Sequence, residues 1–136
     1  MNDSTRIAAA EAALGYIGTP FHHQGRVPGV GLDCAGIALA AYAAQGVELP
    51  TIDAYPSDPP PELLRTWLEQ LATEVDGPEV GGLVLLRVGG PLAGARHLGL
   101  FVDGGRFVHV MRDFKVQTQV LDPKWLRRVD SYWRAA

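Results

Sequence analysis

The sequence predicts an α+β domain, with helices gathered in its first half and one antiparallel sheet of about five strands in its second. Three observations carry this. Apolar residues recur at helical spacing from Ser4 to Thr73, while short apolar runs split by Gly, Pro and Asp take over after Gly77-Pro78. The 136 residues, 47% hydrophobic and 20% charged, suit a single core, so residues 1–136 are read as one domain.

The elements follow in order. Ile7, Ala10, Leu14 and Ile17 line a first helix from Ser4 to Tyr16, with Asp3 or Ser4 available to cap it. Gly18 to Leu32 holds four Gly and two Pro in fifteen residues and reads as a structured loop. Cys34 to Gln45 is an Ala-rich, nearly buried helix that ends at Gly46. Pro50 to Pro61 is a second loop, dense in Pro and Asp. It leads into a helix over Glu62–Thr73 whose face is Leu64, Trp67, Leu68 and Leu71. Strands are predicted over Leu83–Val88, His97–Val102, Arg106–Met111, Val116–Leu121 and Val129–Trp133.

Charge and composition exclude several function classes. Twelve basic against fifteen acidic residues give a net charge of −3, and no Lys/Arg run exceeds Arg127-Arg128, so nucleic-acid binding has no sequence footprint. The longest apolar stretch, Ala35 to Ala44, is about half a bilayer span, and membrane insertion is not expected. Met1 to Gly18 lacks a basic segment and carries Asp3 and Glu11, so a secretory signal is not expected either. The glycine pairs Gly81-Gly82, Gly89-Gly90 and Gly104-Gly105 are turns without the strand-to-helix context of a phosphate-binding loop.

The chemistry centres on the single cysteine. Cys34 opens a helix, where unpaired backbone N–H groups and the positive end of the dipole are expected to lower a thiol pKa and to meet an oxyanion. Taken alone, it also fits a buried apolar thiol. A cysteine nucleophile needs a base, and His97 and His109 lie on strands, ahead of the loop residues His22 and His23. His109 is the only polar residue between Phe107 and Met111, so its ring is half-buried and needs a partner: backbone in the bland reading, His97 in a triad. His22-His23 with Cys34 lack a second pair at metal-ligand spacing, and no metal or other cofactor is expected. Trp67, Trp125 and Trp133 are read as filling core or surface grooves.

These residues carry a resemblance. Gly18-Thr-Pro-Phe-His-His-Gln-Gly25, Gly31-Leu-Asp-Cys-Ala-Gly36 and Gly46-Val-Glu-Leu-Pro50 resemble the front half of an NlpC/P60 cysteine peptidase of the phage-tail or gene-transfer-agent type. Gly82-Leu-Val-Leu-Leu86, His97-Leu-Gly-Leu100 and Phe107-Val-His109 resemble its back half, in the family's order, over nearly the whole chain. The resemblance implies a papain-like fold with Cys34 as nucleophile, His97 as base and His109 orienting it. It implies substrate contacts at Asp33, Phe21, Gln24 and Ala35. It further implies cleavage of peptidoglycan stem peptides next to γ-D-glutamate, phage-like tail proteins as partners, and an enzyme made in the cytoplasm that reaches the cell wall on a particle. Three positions depart from the family pattern: Ala35 where Ser is usual, Phe21 where Tyr is frequent, and Gly81-Gly82 where Gly-Asp is usual. Two rival readings remain: a non-catalytic tail-tip or adaptor protein, and an amidase or acyltransferase acting on a lipid or small amide.

The triad sets a condition on the hairpin at Asp103-Gly104-Gly105. Side chains alternate with period two, so His97 and His109 share a face only if paired residue numbers sum to an even value. A three-residue loop, with Gly105 in the left-handed region, gives a sum of 208 and satisfies this. Gly99 is then expected to leave the space between the histidines open.

Overall fold

Helix α1 (Asp3–Leu14) begins at Asn2, whose Oδ1 accepts the Thr5 N–H at 3.0 Å, one residue ahead of the expected caps. The computed structural model describes residues 1–52, 54–57, 59–89 and 94–136, so Gly90 of the expected Gly89-Gly90 turn lies outside the described residues. The buried face of α1 is Ala9, Ala10 and Ala13, while Ile7, Leu14 and Ile17 are largely exposed. This corrects the expected face, and the reason is space. Helix α2 (Cys34–Ala43) offers Ala38 and Ala41 to the core beside α1, and small side chains on both helices permit a close approach that Ile or Leu would block.

Between these helices the loop folds into a two-residue-wide hairpin of β1 (Arg26–Val27) and β2 (Gly31–Leu32), which the sequence did not announce. Helix α3 (Pro61–Leu71) starts with proline at its first turn and buries the expected Leu64, Trp67, Leu68 and Leu71. Each such burial stabilises the fold by about 1.5–3 kcal/mol. The helix stops two residues before Thr73 because β3 (Ala72–Val75) follows directly, pairing with the end of the chain.

The main sheet has six strands in the order β3-β8-β4-β5-β6-β7, all neighbours antiparallel. Its other members are β4 (Leu83–Arg87), β5 (Ala95–Phe101), β6 (Arg106–His109), β7 (Gln117–Val120) and β8 (Val129–Ala135). A short helix α4 (Pro123–Leu126), also unexpected, links β7 to β8 and is capped by Asp122. One face of the sheet, through Leu83, Leu85, Leu98, Leu100 and Val108, packs under the helices. The other carries a smaller cluster of Val84, Leu86, Phe101, Phe107 and Trp125. Among the described residues no helix is long and apolar enough to cross a membrane.

The β5–β6 register pairs Leu100 with Val108 and Phe101 with Phe107, the expected sum of 208. Gly105, however, is not in the left-handed region. Asp103 Oδ1 accepts the N–H groups of Gly105 and Arg106 at 2.8 and 2.7 Å, which closes the turn without a left-handed residue.

Candidate active site

The cysteine is placed by the carboxylate before it. Asp33 follows β2 and caps α2, its Oδ1 accepting the Gly36 N–H at 2.8 Å. The same carboxylate takes the Arg26 guanidinium at 2.8 Å, the Gln24 N–H at 3.0 Å and the Tyr55 hydroxyl. Arg26 also donates to the Tyr55 oxygen at 3.0 Å. Asp33, 4% exposed, thus ties two chain segments, Gln24–Arg26 and Tyr55, to the first turn of α2. Glycine is needed at position 36, where a Cβ would lie 2.1 Å from the Gly25 carbonyl oxygen.

The histidines come from the sheet. The register of β4 against β5 shifts between Leu86 and Arg87, which face His97 and Ala95, so Arg96 is an extra residue immediately before His97. Such bulges kink a strand and re-aim the neighbouring side chain. His97 is 5% exposed and its Nε2 lies 2.8 Å from His109 Nδ1. His109 is 1% exposed, more deeply buried than expected, with the rings of Phe107 and Trp125 at 5.0 and 5.1 Å in edge-to-face arrangements. Among the described residues its Nε2 has no hydrogen-bond partner.

That orphan nitrogen selects a tautomer. One proton sits between His97 Nε2 and His109 Nδ1. If His109 supplies it, the bare Nε2 lone pair of His109 faces aromatic surroundings; if His97 supplies it, His109 presents Nε2–H there instead. An N–H against an aromatic ring is attractive and a lone pair is not. The favoured arrangement therefore has His97 donating through Nε2, which leaves His97 Nδ1 as the basic nitrogen.

Cys34 and His97 line one cleft of about 440 Å³, together with Phe21, Asp33, Ala35 and Tyr55. His109 stands behind His97. Gln24 does not line this cleft: its backbone is in the left-handed region, its N–H is spent on Asp33, and its side-chain amide donates to the Tyr55 carbonyl at 2.8 Å. His23 does line it, its Nε2 2.9 Å from the Tyr55 carbonyl oxygen, whereas the His22 ring lies against the His23 carbonyl. Among the described residues no group of three His, Cys, Asp or Glu side chains converges to hold a metal ion. Gly99 is tightly enclosed rather than open, since a Cβ there would meet Phe107 Cδ2 at 2.5 Å.

Electrostatics reverse one expectation. Burial, followed by the Asp33 charge, pushes the Cys34 thiol up to about 12, against the opposing influence of the Leu98 and Ala35 backbone and of Arg26. The helix terminus does not outweigh desolvation. Burial, then the nearby His109 and Arg128, holds His97 down to about 3, and burial holds His109 down to about 4. Both directions favour a neutral thiol beside a neutral imidazole over an ion pair at rest.

Arg26 and Tyr55 escaped the sequence reading. The one available signal was an aromatic hydroxyl, Tyr55, standing alone in a loop of Pro and Asp.

Comparison with known proteins agrees with this architecture. No curated protein sequence matches the chain. Among solved structures, an NLP/P60 family protein similar to lipoprotein from Staphylococcus aureus superposes with a TM-score of 0.71 at 19% identity, covering 99% of this chain and 42% of that one. The NlpC/p60 domain of peptidoglycan hydrolase SagA gives 0.59 at 23% identity, with 98% and 99% covered. RipD from Mycobacterium tuberculosis, described as a non-catalytic NlpC/p60 domain protein adapted to peptidoglycan binding, gives 0.61 at 18% identity, with 97% of both chains covered. The chain thus spans about two-fifths of the Staphylococcus protein and nearly all of the two isolated domains. The NlpC/P60 family model matches residues 18–134, which include Asp33, Cys34, His97 and His109, and the chain belongs to the NlpC/P60 family.

Proposed function

We propose that the chain is a cysteine endopeptidase that hydrolyses peptidoglycan stem peptides next to γ-D-glutamate. The observation that carries this reading is the meeting of Cys34, at the first turn of α2, with His97 in one cleft, His97 being bonded in turn to His109. His97 Nδ1 takes the thiol proton as sulfur bonds to the carbonyl carbon, and backbone N–H groups at the start of α2 face the oxyanion. The imidazolium then protonates the leaving amine as the C–N bond breaks, and water, deprotonated by His97, releases the acyl group from sulfur.

The resemblance of the Gly18–Gly25 and Gly31–Gly36 stretches to phage-tail and gene-transfer-agent members supports a place at a tail tip, with tail proteins as partners and delivery to the wall by the particle. Asp33 and Phe21 border the cleft where the substrate's acyl segment is proposed to lie. Any substrate amine must compete there with Arg26 for the carboxylate.

Digestion of purified sacculi, followed by mass spectrometry of new amino termini, tests the reading. Termini released by the wild type and not by Cys34→Ala are expected; no new termini would overturn it. The neutral resting state of Cys34 and His97 favours a second reading, binding to the wall without turnover. That reading expects the protein to sediment with sacculi and release nothing.

A further inference from the structure

The cationic residues of this acidic chain are unevenly placed. A second cavity, of about 480 Å³, shares Val88, Gly89 and Met111 with the catalytic cleft and is otherwise lined by Arg87, Lys124, Arg127 and Arg128. Four of the twelve basic residues thus border one cavity. Among the described residues no carboxylate lines this second cavity. Asp130, which answers Arg87 at 2.7 Å, is divided with Arg65 at 3.2 Å, and Arg128 stacks over the Trp125 ring at 4.7 Å instead of meeting an acid. Residues 90–93, which follow Gly89, carry no charge in the sequence. The basin therefore holds an excess of positive charge, focused by the walls of a cavity.

Its position gives it a side of the scissile bond. Val88 and Gly89 follow the strand end that pairs with Ala95 and His97, and Met111 lies two residues past His109, so the basin opens beside the base. His97 hands its proton to the departing amine, and the segment that departs lies beside it.

We propose that this basin is an anion subsite that takes free carboxylates on the leaving-group segment of the peptide, through Lys124, Arg127 and Arg128. This rests on the hydrolase reading above for the side of the bond, but the excess charge is independent of turnover. Carboxylate binding there holds the leaving segment against His97 and discriminates against chains whose acids are amidated.

The test uses the full chain and two synthetic γ-D-glutamyl peptides that differ only beyond the scissile bond, one with free carboxylates and one with carboxamides. The ratio of their kcat/KM values is expected to favour the acid by about fivefold to tenfold, as two partly exposed ion pairs allow. It is expected to shrink in about 0.5 M salt. In a Lys124→Gln, Arg127→Gln double variant, whose side chains are both exposed, the ratio collapses toward one. A ratio near one in the wild type, or one that survives the double variant, overturns the proposal. If neither peptide is cut, the hydrolase reading fails on its own, and fluorescence anisotropy with Cys34→Ala decides the subsite. Tighter binding of the acid, erased by the double variant, upholds it; equal binding overturns it. Inorganic polyphosphate that displaces the acid peptide and binds far more tightly would assign the basin to a phosphate polymer and overturn the carboxylate assignment.

Discussion

The two faces of the sheet differ in composition, size and task. Under the helices lies a broad aliphatic core in which Leu98 and Leu100 of β5 meet Ala38, Leu68 and Trp67; Cys34 packs at its edge. On the opposite face Phe101, Phe107 and Trp125 form a small aromatic cluster closed by α4, and His109 packs into it. The thiol thus belongs to one core and the imidazole pair to the other, and the cleft is where they meet. The first core holds most of the buried apolar residues; the second packs against His109.

Substitutions can break or sharpen that contrast. The largest effect is expected from Cys34→Ala, which should remove turnover altogether while the thermal midpoint moves by no more than a few degrees, since one sulfur at a cleft wall is lost. A large drop in midpoint would make Cys34 a core thiol instead. Next comes the base: His97→Ala should lower kcat by about a hundredfold or more. His109→Asn should cost clearly less, because the Asn carbonyl still accepts from His97 Nε2. Equal losses would remove His109 from its orienting role.

The contrast between cores is sharper still in Leu100→Ala against Trp125→Phe. The first should destabilise by about 2–5 kcal/mol in urea titration and leave kcat per folded molecule unchanged. The second keeps an aromatic ring, should cost less stability, and should lower kcat measurably by loosening His109. A fall in kcat for Leu100→Ala would show that the two cores are not separable.

The smallest effect is in acid. Both imidazoles have folded values below the ordinary 6.5, about 3 for His97 and about 4 for His109. The unfolded chain therefore binds protons that the folded chain refuses, so their contribution is complete above about pH 6.5 and declines as pH falls through that window. Urea midpoints at pH 7.5 and 5 should differ less in His97→Phe than in the wild type. An unchanged difference would mean that His97 is not buried in its neutral form.

The sequence showed the elements whose causes are local. The α3 face was readable because Leu64, Trp67, Leu68 and Leu71 repeat at helical spacing, and the hairpin register because His97 and His109 share a face only when paired numbers sum to an even value. Where distant partners decide, it misled. Leu71 runs into β3 without a Gly or Pro, because the helix end is set by pairing with β8. Ile7 and Leu14 sit on the solvent side of α1, because α2 leaves room only for alanine. At the site, Cys34, His97 and His109 were legible from residue type and order. The Arg26–Asp33–Tyr55 network was not, since it joins residues up to 29 positions apart through side chains alone. Nor was the rise of the Cys34 pKa, a property of burial rather than of position on a helix.

The Asp33 network also has a consequence for biosynthesis. All its donors, from Gln24, Arg26, Gly36 and Tyr55, are translated before His97 and His109. Amino-terminal segments generally gain structure first during synthesis. The nascent chain therefore carries Cys34 for some 60 codons before His97 is translated, and a truncated translation product holds the thiol without the imidazole pair.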